Sequence, residues 1–317
     1  MYPTISCAAI IVTGIRGISS NYHGSMHLTP TVLVAESLLL LPLIGMAFTG
    51  ELFCTAVGRL PLWLRLALPA TAAIPYHLVA HSNENFNWWF VGVYAALPVL
   101  LAALLWDAQR RDVEQRGVWQ DFLVLLVLGI VVEFRLFEHA WPKGLGSFNR
   151  LILLDAALYG FLIIRRLSGV GFHFVPQVSD AKNGLRELLF YAPVALLLGL
   201  SLGFLHMHWL MPSLAKFVVS WISIFFVIAV LEESYFRGLL QNLLERRIGR
   251  GWALLVASVI FGLSHFNKGA THFNWRYVLL ASLAGIFYGR AWRAERRLVA
   301  SAITHASVDT IWSIWLR

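Results

Sequence analysis

Three short pieces near the C-terminus carry groups that could do chemistry: Glu232-Glu233-x-x-x-Arg237, then Phe261-x-x-x-His265, then His305-x-x-x-Asp309. Each lies in a strongly apolar stretch, where an ionisable group is costly and is kept for a function or for an internal partner. Carboxylates and imidazoles in such surroundings can act as general base, hydrogen-bond donor or metal ligand. Their placement on three separate apolar segments points to an enzyme that works inside a bilayer.

The spacing within each piece assigns expected roles. Glu232 and Glu233 are neighbours, about 100° apart on a helix, so the two carboxylates are expected to face different partners. Arg237 follows Glu233 by four residues, the favoured order for an ion pair on one helix face. A buried arginine needs such a partner, and Glu233–Arg237 is therefore read as a neutralising pair. Glu232 then faces elsewhere, a desolvated carboxylate suited to accepting a proton from water. The plainer alternative is that both glutamates only pair with basic groups. His265 alone, one turn after Phe261, would read as a satisfied core histidine; beside two further His- or acid-bearing helices it reads as part of a site. His305 and Asp309 are also one turn apart and share a face. Counted from the basic helix ends, Glu232 and His265 lie roughly 15–20 Å deep and His305 roughly 10 Å. That range lies between the cytoplasmic surface and the midplane, where the three helices can converge.

The elements that must position these groups are membrane helices. The chain is 58% hydrophobic and 13% charged, with a mean hydropathy of +0.69, outside the soluble range. About ten candidate spans of roughly 16 to 25 residues fit the thickness of a bilayer core. They fall near 31–50, 61–80, 86–106, 118–137, 149–164, 186–208, 217–241, 252–268, 276–292 and 298–316. The continuous apolar runs lack β-barrel alternation, so the expected fold is an all-α, polytopic transmembrane helix bundle.

Basic residues orient this bundle. Alternate loops carry Arg59, Arg65, Arg110, Arg111, Arg116, Arg165, Arg166, Lys182, Arg186, Arg246, Arg247, Arg250, Arg290, Arg293, Arg296 and Arg297, sixteen against seven on the opposite loops and termini. The bias predicts a multi-pass protein of a cell inner membrane with both termini external. Net charge +8 is then a matter of loop topology and anionic lipid heads, and a nucleic-acid partner is not needed to explain it. Cys7 and Cys54 are too few for a disulfide framework. The first 25 residues fit neither a signal peptide nor a span, and a mis-assigned start, with translation from Met26, is the simple account. Segment 167–185, rich in Gly, Ser, Pro and Asn, reads as a cytoplasmic linker between an N-terminal helical unit (31–166) and a C-terminal one (186–317). Ala281, Gly285 and Gly289 form a small-residue stripe suited to close helix contact. In the N-terminal unit, Arg135 and Asp155 are expected to pair. His77 with His81, and His206 with His208, are weak two-ligand patterns.

In their order on successive membrane helices, Glu-Glu-x-x-x-Arg, Phe-x-x-x-His and His-x-x-x-Asn/Asp resemble the CPBP family of CAAX proteases and bacteriocin-processing enzymes. The resemblance covers residues 183–317 and implies a glutamate-dependent intramembrane endopeptidase. It further implies that Glu232 and His265 activate the attacking water, that His305 and the residue at 309 stabilise the oxyanion, and that Glu233 and Arg237 hold the motif in shape. Prenyl-processing members carry Asn at the last position, whose amide can donate to an oxyanion. Asp309 must instead be protonated, orient His305 by accepting its proton, or sit beside a cation. Metal-free chemistry without a cofactor is the expected mode; Zn²⁺ at Glu232, His265, His305 and Asp309 is the alternative.

The leading expectation is thus an endopeptidase acting in the lipid bilayer on a membrane-associated peptide or protein substrate. A catalytically silent scaffold or bacteriocin immunity protein with the same fold is a second reading. An ion-coupled transporter is a third, though no plainly broken span or inverted repeat supports it.

Overall fold

Every one of the ten expected spans is helical in the computed structural model, which describes residues 29–83, 86–268 and 272–316, and no strand occurs among the described residues. The N-terminal segment singled out above lies outside them. The chain forms two compact units that divide at Ser168/Gly169.

The first unit contains α1 (Pro30–Gly58), α2 (Leu62–Ala67), α3 (Ala73–Ser82), α4 (Trp88–Arg111), α5 (Trp119–Glu133) and α6 (Ser147–Ile164). Thr29 caps α1 by accepting from the Val32 amide (3.3 Å), with Pro30 in the first turn where its missing N–H costs nothing. The expected span 61–80 is broken into α2, a 3-10 turn over Leu68–Ala72, and α3. Tyr76, Tyr94 and Trp141 meet edge-on or tilted in the core of this unit. A chain of hydrogen bonds serves their polar ends: Trp141 donates to the Tyr94 hydroxyl (2.7 Å), which donates to Asn149 Oδ1 (2.9 Å). Arg165, 1% exposed, is gripped by Asp112 and Asp121 at 2.5 and 2.8 Å.

The expected Arg135–Asp155 pair does not form. Arg135 lies past the end of α5 in a left-handed turn, exposed, with Glu138 at 3.9 Å, while one carboxylate oxygen of Asp155 is buried with no hydrogen-bond partner among the described residues. His77 and His81 stack on each other (5.7 Å, 12°) and meet Phe86 edge-on, a packing arrangement.

The second unit contains α7 (Val178–Ser201), α8 (Leu214–Ile248), α9 (Arg250–Leu263), α10 (Trp275–Glu295) and α11 (Leu298–Ile311). Among the described residues α1, α4, α6, α7 and α8 are long and apolar enough to cross a membrane, and α9 is a shorter apolar helix. Helix α7 starts eight residues earlier than expected because Asp180 caps it, accepting from the Gln177 amide (2.9 Å). The remaining extended stretch is pinned by α10 and the turn after it. Trp292 donates to the Val170 carbonyl (3.0 Å) and Leu298 to that of Gly171 (3.1 Å). Gly171 has φ +80°, and a Cβ there would stand 2.1 Å from the Arg296 carbonyl oxygen.

The small-residue stripe of α10 is a helix contact. A Cβ on Gly285 would lie 3.0 Å from Ser258 Cα, and one on Gly289 would lie 2.5 Å from Leu254. Gly262 of α9 returns the favour, facing the Val278 carbonyl of α10 at 2.5 Å from its would-be Cβ. At the arginine-bearing end, carboxylates from other helices bind the basic side chains: Asp180 with Arg297 (2.6 Å), Glu187 with Arg290 (2.9 Å), and Glu245 with Arg293 (2.8 Å).

Candidate active site

Helix α8 widens into π-helical turns at Phe225–Ala229 and again at Ser234–Gln241, either side of the Glu232–Glu233 pair. Such widened turns are rare and are found mostly at functional sites. Glu233 and Arg237 are fully buried and form the expected ion pair, Nε to Oε2 at 3.1 Å. The guanidinium also lies over the Phe261 ring, 4.7 Å from its centroid, with Tyr288 and Phe236 at 5.7 and 5.8 Å. A desolvated cation is thus held by one carboxylate and several aromatic faces.

Glu233 does more than neutralise Arg237. Its Oε1 accepts from His305 Nδ1 at 2.8 Å, and its Oε2 accepts from the Ser301 hydroxyl, which also reaches the Tyr288 carbonyl at 2.8 Å. The other edge of the His305 ring faces Asp309, Nε2 to Oδ2 at 3.4 Å, and Glu232, Nε2 to Oε2 at 3.9 Å. The two adjacent glutamates therefore do approach one partner, against expectation. The imidazole presents its two nitrogens on different edges, so carboxylates that diverge from neighbouring helix positions can each reach one of them. Glu232 is 27% exposed along its side chain and also lies 4.0 Å from Lys268 Nζ.

His265 sits just beyond α9, which ends at Leu263 rather than continuing through the imidazole. Its Nδ1 lies 2.9 Å from the Phe261 carbonyl oxygen. A carbonyl only accepts, so Nδ1 carries the proton and Nε2 keeps its lone pair. The ring packs against Tyr277 and Phe261, at 4.8 and 5.0 Å between centroids, and Glu232 is within electrostatic range.

His265, His305 and Asp309 line a largely apolar cavity of about 120 Å³ together with Tyr288, Tyr277 and Trp312. It runs from His305 toward Phe204 and Leu316, the end of the unit away from the arginines. Phe204 stacks on Trp312 there (6.2 Å, 11°), and Tyr277 packs against both. Helix α9 ends at Leu263, and the turn after it carries His265 and Lys268. His206 and His208 serve the Phe204 end through their backbone amides, which donate to Leu316 and Trp315 carbonyls.

Tyr288 and Ser301 were not among the expected site residues. Tyr288 stacks on the His305 ring (4.7 Å, 16°). Ser301 precedes His305 by one turn, so Ser301, His305 and Asp309 make a polar stripe at helical spacing that was readable on α11. Nothing in the spacing of α10 distinguishes Tyr288. For zinc, among the described residues no three His, Cys, Asp or Glu side chains are grouped to hold a metal ion.

Fold and site together define a polytopic helical membrane protein with a carboxylate–imidazole cluster buried in its C-terminal unit. Residues 213–311 match the family model of the type II CAAX prenyl endopeptidase Rce1-like proteins, in agreement with the motif resemblance. The match spans α8 to α11 and includes all seven motif residues. No curated protein and no solved structure matches the chain.

Because Glu233 serves Arg237, His305 and Ser301 at once, Glu233→Gln should destabilise the fold by about 3–5 kcal/mol, the cost of stranding a buried charge. Ser301→Ala removes one neutral donor and should cost about 1 kcal/mol. Thermal unfolding of the detergent-solubilised protein checks both, and equal stability of the Glu233→Gln and wild-type proteins would contradict this account of the cluster.

Proposed function

We propose that this protein is an intramembrane endopeptidase that hydrolyses a peptide bond of a membrane-associated substrate with a water activated by Glu232. The observation that carries the reading is the convergence of Glu232, Glu233, His265, His305 and Asp309, from α8, α11 and the turn after α9, inside the segment that matches an endopeptidase family.

In this reading the attacking water donates one hydrogen bond to Glu232 and one to His265 Nε2, the lone pair left by the Phe261 contact. Glu232 takes the proton as oxygen adds to the carbonyl carbon. The new oxyanion forms beside His305, acting in this reading as an imidazolium that donates Nδ1–H to Glu233 and shares Nε2–H between Asp309 and the oxyanion. Glu232 then returns the proton to the leaving amine as the C–N bond breaks. Asp309 orients His305 here, the second of the three options that replacing Asn leaves. The apolar cavity beside these groups suits an apolar part of the substrate. The family name adds a specific candidate, a prenylated C-terminal peptide.

Glu232→Gln removes the base and buries no new charge. In proteoliposomes supplied with a fluorescence-quenched peptide, prenylated or plain, it should lower kcat by about 10²–10⁴-fold without loss of thermal stability. Wild-type activity should survive dialysis against a chelator. Undiminished turnover by Glu232→Gln would remove that residue from catalysis, and chelator-sensitive activity restored only by Zn²⁺ would replace the metal-free mechanism.

We further propose that the arginine-bearing loops face the cytoplasm of an inner membrane, as the charge bias favours. In a cysteine-free background, Arg247→Cys should then be shielded from an impermeant maleimide added to intact cells. Met211→Cys, at a position 97% exposed, should be labelled. The reverse pattern would invert the orientation.

A further inference from the structure

Arg165, Arg65 and Arg166 lie in the N-terminal unit, yet only the first is matched by carboxylates. Arg165 has Asp112 and Asp121, whereas no ion pair to Arg65 or Arg166 is formed among the described residues. These two side chains line a cavity of about 240 Å³ with Gln109 and Trp106, and none of its lining residues is acidic. The Arg65 Nε is buried there without a hydrogen-bond partner among the described residues. A guanidinium N–H left unpaired away from water is costly, and an acceptor entering the cavity would relieve that cost. Both backbones are held in position from outside the cavity. The Tyr159 hydroxyl donates to the Arg65 carbonyl (2.7 Å), and Gln115 Nε2 donates to that of Arg166 (2.8 Å), which sits at φ +54°.

We propose that this cavity is a binding site for a phosphate group. Two guanidinium forks offer paired N–H donors to tetrahedral oxygens, and the Gln109 amide offers another. The site lies at the end of α4 that carries Arg110 and Arg111, and Trp106 lies in the same last turns. Tryptophan and arginine at a helix end mark the headgroup level of a bilayer, where phosphate arrives on anionic lipids. A soluble phosphate would meet the same donors.

The two sources separate in one experiment on the purified full-length protein in detergent. Thermal unfolding is followed with phosphatidylglycerol, phosphatidylcholine or inorganic phosphate added, for the wild type and for Arg65→Gln/Arg166→Gln. Stabilisation of the wild type by phosphatidylglycerol but not phosphatidylcholine, with apparent affinity weakened at least tenfold in the double variant, is the expected result for a lipid. Stabilisation by inorganic phosphate, lost in the variant, supports the phosphate site with a soluble source. No stabilisation by either, or a response unchanged in the variant, overturns the proposal. Should the double variant fail to fold, Arg166→Gln alone, at an exposed position, is measured by the same criteria.

A second inference rests on a different observation and on the endopeptidase reading. Tyr288 stacks on His305, lines the cavity with Asp309, and has Asp309 within electrostatic range of its hydroxyl. No group among the described residues accepts a hydrogen bond from that hydroxyl. We infer that the Tyr288 hydroxyl donates to the oxyanion, supplying the neutral donor that a carboxylate at 309 does not. Tyr288→Phe keeps the ring stack and removes only the O–H. It should lower kcat by about 10–10²-fold with KM and thermal stability unchanged, and weaken binding of a peptide phosphonate in parallel. Wild-type kcat in Tyr288→Phe would overturn the inference while leaving the endopeptidase reading intact. Absence of cleavage by the wild type itself would remove that reading instead.

Discussion

A single carboxylate organises the C-terminal unit. Glu233 has two oxygens, and each is committed: one to His305 Nδ1, the other to Arg237 and Ser301. All of these groups are buried, so each partner would be an isolated polar group if the carboxylate moved. Helices α8 and α11 are therefore tied at one depth, and the His305 ring cannot turn without breaking the tie. Arg237 extends the arrangement to α9 and α10 through the faces of Phe261 and Tyr288. Phe261 has two tasks, an aromatic face for the cation and a carbonyl for His265.

The motif residues were legible because each breaks the rule of an apolar helix, and their spacing gave correct local relations. Arg237 one turn after Glu233 forms an ion pair, and Asp309 one turn after His305 shares its edge. The relation between the glutamates was misjudged because helix geometry describes where side chains leave the backbone, and the partner came from a different helix with two binding edges. Tyr288 was invisible for a related reason. An aromatic residue on an apolar helix has no marked neighbour in sequence, and its meaning comes from the ring it stacks on.

Helix positions followed from hydropathy alone, since lipid forces backbone groups into internal hydrogen bonds. Helix ends did not. The early start of α7 comes from an Asp180 cap inside a segment whose composition resembled a linker, and the break between α2 and α3 falls at Pro69 within an otherwise apolar run. Arg135 and Asp155 were misread because a turn in the left-handed region moved the arginine outward.

The arginines of the C-terminal unit act as fasteners as well as charges. Asp180–Arg297, Glu187–Arg290 and Glu245–Arg293 clamp helices together at one end. At the other end the cavity is bounded by Phe204, Tyr277 and Trp312, held by ring packing. The bundle is thus built like a clothes-peg. Its closed end resists separation, and its aromatic jaws can part by sliding rings past one another without stranding a charge. Parting such jaws would leave the carboxylate–arginine pairs of the closed end intact.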